Sequence, residues 1–178
     1  MKKERQDFAI CGEKVSLRKI TPEDTELIVK WRNNERVRKN FVFKEVFTKE
    51  LHENWYKTKI IPGFVEQFII CENGNNHKPV GSVYFRDIDR DEKSAEYGIF
   101  IGEDEAINKG YGNETAVLAL TYAKEKIGLK KVFLKAFAYN EVAIKSYSNA
   151  GFVKTRDLAQ VECSDGQKSD MILMEKLL

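Results

Sequence analysis

A glycine-containing loop ahead of a predicted helix is the chain's first candidate binding element. Residues 108–116 (NKGYGNETA) follow a predicted strand and pass Gly110 and Gly112 before the helix begins. Glycines let a ligand approach the backbone without a Cβ in the way, and the free N–H groups of a helix's first turn suit a phosphate. Lys109 adds positive charge there, whereas the acidic residues 103–105 would repel a phosphate unless they face away.

Taken alone, this loop is a weak signal, because a GxG sequence before a helix is often only a tight turn. No GK[ST] sequence follows, so the loop is not a Walker loop, and the third glycine of a Rossmann fingerprint is missing. An unrelated α/β protein that binds NAD or ATP at this loop stays open as an alternative.

The segment 140–152 (NEVAIKSYSNAGF) places an asparagine at a helix entrance and a tyrosine two turns later. Asn140, Ala143 or Ile144, and Tyr147 recur at helical spacing, so they share a face and could line one cleft. Each residue alone has a structural explanation, Asn140 as a helix cap and Tyr147 as a core side chain. The combination with the glycine loop one strand earlier favours a site.

The elements that would position these residues follow from hydrophobic periodicity and capping signals. Strands are predicted at 15–20, 65–72, 79–88, 94–101, 131–138, 152–161 and 169–176, and helices at about 22–33, 34–40, 48–60, 112–127 and 140–151. This order, a β-rich first half followed by β-α-β-α-β-β, predicts an α+β (mixed α/β) domain around one sheet of about seven strands. No linker interrupts it, so we expect a single domain over residues 1–178.

Composition limits the function classes. The chain has 178 residues, of which 42% are apolar and 33% charged, and its formal net charge is +2. So small a charge would not attract nucleic acid or a membrane surface, and we expect neither as a partner. No apolar run has the length of a membrane span, and the N-terminus lacks the apolar core of a secretory signal, so a cytoplasmic location is expected.

The cysteines and histidines point to no metal or covalent site. Cys11, Cys71 and Cys163 are widely spaced and form no CxxC pair, so buried reduced thiols are expected. His52 and His77 are the only histidines, and both are predicted to be surface residues because each lies among polar residues with no nucleophile motif nearby. No metal is therefore predicted.

The motif segments resemble the GCN5-related N-acetyltransferases (the GNAT superfamily). Gly110 and Gly112 match the glycine positions of that family's Q/R-x-x-G-x-G/A element, and residues 140–152 match its last helix. The subfamily of ribosomal-protein N-terminal and spermidine acetyltransferases is most similar, although residues 30–38 resemble enzymes that acetylate nucleotide-linked amino sugars. The resemblance covers most of the chain. One departure is Ile107, which stands where the family has Gln or Arg.

The resemblance implies a GNAT fold with a mostly antiparallel, twisted sheet, and direct transfer of an acetyl group from acetyl-CoA to a primary amine. It implies Glu96 as the base, acting through water, and Tyr147 as the general acid for the leaving thiolate. Glu96 could equally be an exposed carboxylate on a strand. The implied cosubstrate-binding residues are Ile99, Phe100, Ile101, Asn108, Lys109, Gly110, Tyr111, Gly112, Asn113, Asn140 and Lys145.

The acceptor amine is less well defined. In this family the N-terminal helices and neighbouring loops line its pocket, so Trp31, Arg32 and Tyr97 are the expected contacts. Arginines suit a phosphate- or carboxylate-bearing acceptor such as an amino-sugar nucleotide, whereas a polyamine prefers carboxylates. The arginines could also form a solvated helix face, and Trp31 could be core. Two alternatives stay open: a protein N-terminus as the acceptor, and an acetyl-CoA-binding module without catalysis. A homodimer is a possible assembly.

Overall fold

The computed structural model describes residues 7–178. Its strands are β1 (Phe8–Cys11), β2 (Val15–Lys19), β3 (Glu66–Glu72), β4 (Lys78–Asp89), β5 (Ser94–Ile101), β6 (Lys131–Phe137), β7 (Val153–Glu162) and β8 (Lys168–Leu177). Its helices are α1 (Thr25–Asn33), α2 (Glu35–Arg38), α3 (Lys49–Trp55), α4 (Tyr111–Tyr122) and α5 (Glu141–Asn149). Wider helical turns extend α3 over Tyr56–Ile60 and α4 over Ala123–Ile127.

All eight strands form one sheet in the order β1-β2-β3-β4-β5-β6-β8-β7. Every neighbouring pair is antiparallel except β5 and β6, which are parallel. The predicted mixed α/β fold is therefore confirmed, with one strand more than the seven expected. The added strand, β1, is four residues long and lies at the edge of the sheet, too short for its alternation to stand out in the sequence.

The two faces of the sheet carry separate apolar clusters. On one face, α4 packs its buried Ala116, Ala119 and Leu120 against strand residues such as Phe68 and Phe85. Alanines at these helix positions let α4 lie close to the sheet. The opposite face is covered by α1, whose Trp31 packs with Ile69 and Phe100 on the central strands. Helices therefore flank β5 on both sides.

The sheet opens between β5 and β6. These strands pair only at Ser94–Lys131, Ala95–Val132 and Glu96–Phe133. Beyond those pairs, β5 continues to Ile101 and β6 to Phe137 without pairing to each other. We refer to this opening, between residues 97–101 and residues 134–137, as the gap.

Two expectations about single residues were wrong. Cys11 is exposed because it ends the edge strand β1, although Cys71 and Cys163 are buried as expected. His52 is not a surface residue but is 1% exposed, since α3 packs against α1 and the His52 Nδ1 lies 2.9 Å from the Thr25 hydroxyl. His77 is half-buried against the ring of Phe8.

Across residues 7–178, no helix is long and apolar enough to cross a membrane. The same residues contain no cluster of three or more histidine, cysteine, aspartate or glutamate side chains placed to hold a metal ion.

Candidate active site

The free edge of β5 forms one wall of the gap. On its other edge β5 pairs with β4 along its length, from Gly81–Ile101 to Asp89–Ser94. In such a strand alternate residues direct their N–H and C=O groups away from the paired neighbour. Because β6 has already diverged, those groups between Tyr97 and Ile101 face the gap. Ile99, Phe100 and Ile101, predicted to lie along the cosubstrate, are therefore on this edge.

The glycine loop, residues 108–113, lies where β5 leads into α4. Gly110 has a left-handed backbone (φ +79°) and its carbonyl accepts the first helical hydrogen bond, from the Glu114 N–H at 3.3 Å. The N–H groups of Tyr111, Gly112 and Asn113 precede that bond and have no partner within the helix. A Cβ built on Gly112 would meet nothing within 4 Å, so a ligand can reach these amides.

The side chains of this loop are anchored to β3. Glu72 accepts hydrogen bonds from the Tyr111 hydroxyl and from Asn75, and forms an ion pair with Lys109 at 3.2 Å. The Tyr111 hydrogen bond is the main reason why the pKa of Glu72 is lowered to about 2, and the same bond raises the pKa of Tyr111 to about 12. Lys109, the cation expected for a phosphate, is thus already paired with a carboxylate.

Each of the three acidic residues before the loop is paired with a cation. The ion pairs are Lys30–Glu103 at 2.8 Å, Arg36–Asp104 at 2.9 Å and Lys78–Glu105 at 2.5 Å. Two of these cations come from the N-terminal helices and the third from β4. Their carboxylates therefore hold those segments against the loop instead of opposing an anion in front of it.

The start and one face of α5 form the opposite side of the gap. The side-chain oxygen of Asn140 caps the helix by accepting from the Ala143 N–H at 3.3 Å. The Ser146 hydroxyl donates to Asn113 of the glycine loop at 2.7 Å, which connects α5 to α4. Lys145 is exposed on the same helix.

Tyr147 lies on α5, on the side of the gap that this helix forms. Its ring packs edge-on against Tyr97 with centroids 6.3 Å apart, and against Phe152 at 6.1 Å. Burial, with a smaller contribution from Tyr84, raises the pKa of Tyr147 well above its ordinary value, so the phenol stays protonated. Tyr97 is buried beside it, and its hydroxyl has no hydrogen-bond partner among the described residues.

A second cluster, which we name the arginine end, comprises Arg32, Tyr84, Arg86 and Glu96. Glu96 is 9% exposed and its Oε1 accepts from the Arg86 guanidinium at 2.7 Å. It is therefore a buried, ion-paired carboxylate and not an exposed one. Tyr84 lies opposite Gly98, where an added Cβ would come within 2.3 Å of its ring, so the phenol lies directly over the β5 backbone.

Arg32 is a half-buried cation that has no ion-pair partner within residues 7–178. Its guanidinium carbon lies 3.6 Å from the ring centroid of Phe41 and 4.5 Å from that of Phe47. Its Nε is buried and has no hydrogen-bond partner in residues 7–178. Burial is the largest cause that lowers the pKa of Arg32 to about 10, with Arg86 adding repulsion and Tyr84 opposing both. Such a group favours an anion nearby.

The segment 39–48 closes over the arginine end and is tied down at several points. Ser164, in the β7–β8 turn, accepts from the Lys44 N–H at 2.7 Å and donates its own N–H to the Val42 carbonyl at 3.0 Å. The Tyr139 hydroxyl, just before α5, donates to the Lys39 carbonyl at 2.7 Å. The segment therefore connects the N-terminal helices with the far side of the gap.

The structure brings together most, but not all, of the residues selected from the sequence. Tyr97 and Tyr147 pack together beside the gap. Glu96, the preceding residue of β5, points to the opposite face, where it pairs with Arg86. Arg32 lies near Arg86 and Tyr84 on that face. Trp31 joins neither group, because it is fully buried and its indole N–H donates to Glu103 at 2.8 Å.

Sequence reasoning missed four residues that shape the arginine end, namely Tyr84, Arg86, Phe41 and Phe47. For Tyr84 and Arg86, the alternation of β4 placed them on the face of Glu96, once the register of β4 with β5 was known. For the two phenylalanines, residues 41–47 (FVFKEVF) gave no helical or strand signal, and their role depends on tertiary packing.

Comparison with known proteins places this geometry in a family. Residues 14–153 match the acetyltransferase (GNAT) domain family. The chain is also similar to an uncharacterized protein of Methanocaldococcus jannaschii, MJ1062, with 33% identity over 144 residues. That similarity covers 80% of this chain but only 29% of MJ1062, so the chain spans less than a third of that relative.

Solved structures with the same fold include enzymes from Vibrio cholerae. Spermidine N-acetyltransferase in complex with CoA and spermine superposes with a TM-score of 0.85 at 23% identity, covering 93% of this chain and 96% of that one. A dodecameric structure of the V. cholerae enzyme in an intermediate state gives a TM-score of 0.79 at 24% identity, covering 93% and 95%.

Proposed function

Because the chain belongs to the acetyltransferase (GNAT) domain family, we propose that it transfers the acetyl group of acetyl-CoA to a primary amine by direct attack. The observation that carries this proposal is the parting of β5 and β6 after Glu96 and Phe133. The gap lies between the glycine loop at one end and, at the other, the buried Glu96 carboxylate and the half-buried Tyr147 phenol.

The gap has the groups that acetyl-CoA requires. The amides of a pantetheine arm can hydrogen-bond to the free edge of β5 at Ile99–Ile101, as an added strand does. The diphosphate suits the open N–H groups of the glycine loop. The Asn140 side-chain oxygen caps α5, which leaves its amide NH₂ for a pantetheine carbonyl. The V. cholerae complex with CoA supports this choice of cosubstrate.

The residues around the gap fit acetyl transfer to an amine. A primary amine has a pKa near ~10 and must lose a proton to react, and we assign the base to Glu96 acting through water. Arg86 fixes one oxygen of that carboxylate. A backbone N–H of β5 stabilises the oxyanion. We assign Tyr147 as the group that interacts with the leaving thiolate of CoA. A phenol with a raised pKa acts mainly as a hydrogen-bond donor there, which lowers the cost of forming the thiolate.

The arginine end favours an acceptor that carries an anionic group as well as the amine. Arg32 has no ion-pair partner among residues 7–178, and Glu96 is already paired with Arg86. Spermidine and spermine, named for the V. cholerae enzymes, are cations only and would meet two guanidinium groups here. A phosphate- or carboxylate-bearing amine, such as an amino-sugar nucleotide, fits these charges. The enclosing segment 39–48 also disfavours a protein N-terminus.

The test is calorimetric titration with acetyl-CoA, followed by a thiol-release assay with amino-sugar nucleotides, peptides and polyamines. We expect micromolar binding, and CoA release with an anion-bearing amine. Failure to bind acetyl-CoA contradicts the proposal. Binding without release on any amine supports the alternative of a non-catalytic acetyl-CoA-binding module.

Replacing Arg32 tests which class of acceptor the protein uses. Arg32→Met keeps a long apolar stem between the two phenylalanines but removes the charge. We expect the KM for an anion-bearing acceptor to rise about tenfold or more, with acetyl-CoA affinity unchanged, because a charge-assisted contact is lost. Arg156→Met, which removes an exposed guanidinium on β7, is the matched control. A polyamine that reacts faster with Arg32→Met than with the wild type would point to the opposite acceptor class.

A further inference from the structure

The glycine loop lacks the free cation that its sequence suggests. Lys109 is the only lysine or arginine within residues 108–113, and its ammonium is 3.2 Å from Glu72. Glu72 is held in turn by Tyr111 and Asn75. Together Lys109 and Glu72 add no net charge in front of the loop. A dianionic diphosphate there would be held by backbone amides alone unless another segment supplies a cation.

Lys14 is positioned to supply that cation. It lies in the turn between β1 and β2, and its Nζ is 3.2 Å from the point where a Cβ on Gly110 would stand. Among the ion pairs of residues 7–178, none involves Lys14. The ammonium group is thus beside Gly110, the residue that precedes α4, and is not paired with a carboxylate.

The backbone of Lys14 is fixed, unlike that of an ordinary surface lysine. Its N–H donates to Glu114 Oε1 at 2.9 Å, and its carbonyl accepts from the Asn73 N–H at 2.8 Å. The Asn73 side chain also donates to the Gly12 carbonyl at 2.9 Å. The turn is therefore attached both to α4 and to the end of β3. A side chain that starts from a fixed backbone loses less freedom when it binds an anion.

Glu114 is a carboxylate in direct contact with this turn, so its effect on Lys14 needs separate consideration. Its Oε1 accepts from the N–H groups of Lys14 and Val15, at 2.9 and 3.4 Å. A Cβ on Gly12 would lie 2.1 Å from the same oxygen, so the carboxylate is pressed into the turn. It is satisfied by backbone donors and not by the Lys14 ammonium. That ammonium is consequently available to an anion at Gly110.

We propose that Lys14 binds the diphosphate of acetyl-CoA and completes the cradle of loop amides from the β1–β2 turn, which is distant in the sequence but adjacent in the fold. The inference rests on the proposed acetyl-CoA binding. It assigns to the β1–β2 turn a role in cosubstrate affinity, and it assigns to Lys109 the role of anchoring the loop to β3.

The test compares the wild type, Lys14→Gln, Lys14→Arg and Lys124→Gln by calorimetric titration with acetyl-CoA. Lys124→Gln removes one positive charge from an exposed lysine at the far end of α4, so it is the matched control. We expect Lys14→Gln to raise the Kd about tenfold, as for the loss of one charge-assisted contact. Lys14→Arg restores most of the affinity, and Lys124→Gln stays within about twofold of the wild type.

Two further measurements identify the phosphate. With acetyl-3′-dephospho-CoA, which keeps the diphosphate, the effect of Lys14→Gln should be unchanged. An effect that disappears with this analogue overturns the diphosphate assignment. At high salt the effect should shrink, because this contact is exposed.

The two proposals fail in distinguishable ways. A wild type that does not bind acetyl-CoA overturns both of them. A wild type that binds, with a Kd unchanged in Lys14→Gln, overturns the role of Lys14 only. Equal melting temperatures for the wild type and Lys14→Gln show that a change in Kd does not come from unfolding.

Discussion

The two ends of the gap differ in whether main-chain or side-chain groups form them. The loop end consists largely of main-chain groups, namely the free edge of β5 and the first amides of α4, and its elements follow one another within residues 99–152. The arginine end consists of side chains from α1, β4 and β5, enclosed by the segment 39–48. Its members are brought together only by the folded sheet.

The charges of the two ends differ as well. Around the glycine loop, Glu72 and the three acidic residues before the loop all have cationic partners. At the arginine end, one guanidinium is paired with Glu96, and the other, on Arg32, is half-buried and has no ion-pair partner in the part of the chain that the structure describes. Paired charges fix geometry, whereas a partly desolvated charge without a partner favours the binding of an anion.

The largest effect is expected where the two ends meet, at Tyr147. Tyr147→Phe keeps the ring packing against Tyr97 and Phe152 but removes the hydroxyl assigned to the thiolate. We expect kcat to fall about 100-fold and the Kd for acetyl-CoA to stay within a few-fold. Steady-state thiol release and calorimetry measure the two quantities. Tyr122→Phe, at the far end of α4, is the control, and an unchanged kcat in Tyr147→Phe removes that residue from its role.

Two glycine substitutions should affect different properties, one the free energy of unfolding and the other acetyl-CoA binding. A Cβ on Gly102 would lie 2.1 Å from the Trp31 ring, so Gly102→Ala should cost about 1–3 kcal/mol through overpacking. A Cβ on Gly112 meets nothing within 4 Å, so Gly112→Ala should leave the free energy of unfolding nearly unchanged but weaken acetyl-CoA binding by crowding the loop amides. Urea unfolding and calorimetry distinguish them.

The outcomes are separable because each variant serves as the other's control. A stable Gly102→Ala would mean that Trp31 and the N-terminal helices are not tightly packed on the end of β5. A Gly112→Ala variant that binds acetyl-CoA as the wild type does would mean that the ligand does not approach the loop backbone at that residue.

The loop end was predictable because its signals are local. Gly110 and Gly112 before a helix, and Asn140 as a helix cap, are readable without knowing what lies nearby in space. What the sequence did not reveal there is how charges pair, since the Lys109–Glu72 contact joins residues 37 positions apart. The acidic residues 103–105 were expected to repel phosphate unless they face away, and only the fold decides which way they face.

The arginine end was only partly predictable. Arg32 and Glu96 were selected, but Trp31 beside Arg32 points into the core, because neighbouring residues of a helix lie about 100° apart. His52 was placed at the surface since the residues around it in α3 are polar, yet the one buried position of α3 is His52 itself. Residues 41–47 have no periodicity, so their packing over Arg32 depends on the β7–β8 turn and could not be inferred.

A smaller effect is expected from pH at His52, on the acceptor side of the fold. Burial lowers its pKa, with Asp24 opposing and Arg32 adding to the shift. The folded state therefore prefers neutral His52, and this stability is present above the ordinary histidine pKa of about 6.5 and is lost as pH falls below it. Between pH 7.5 and 5, the wild type should lose more free energy of unfolding than His52→Gln. Equal losses in urea unfolding would contradict a neutral buried His52.

The smallest effect is expected at Glu72, on the loop side, and in a different pH range. The Tyr111 hydrogen bond is the main cause that lowers the pKa of Glu72 to about 2, so the stability from its ionised form is present above the ordinary pKa of about 4.5 and is lost as pH falls toward 2. In a plot of the free energy of unfolding against pH, Glu72→Gln should reduce the loss of stability between pH 4.5 and 2, and Tyr111→Phe should reduce it in part. Neither variant should alter the loss near pH 6 that His52 controls. If Glu72→Gln instead changed the loss near pH 6, the two ends would be coupled through the sheet, and the division of the gap into a main-chain end and a side-chain end would not hold for stability.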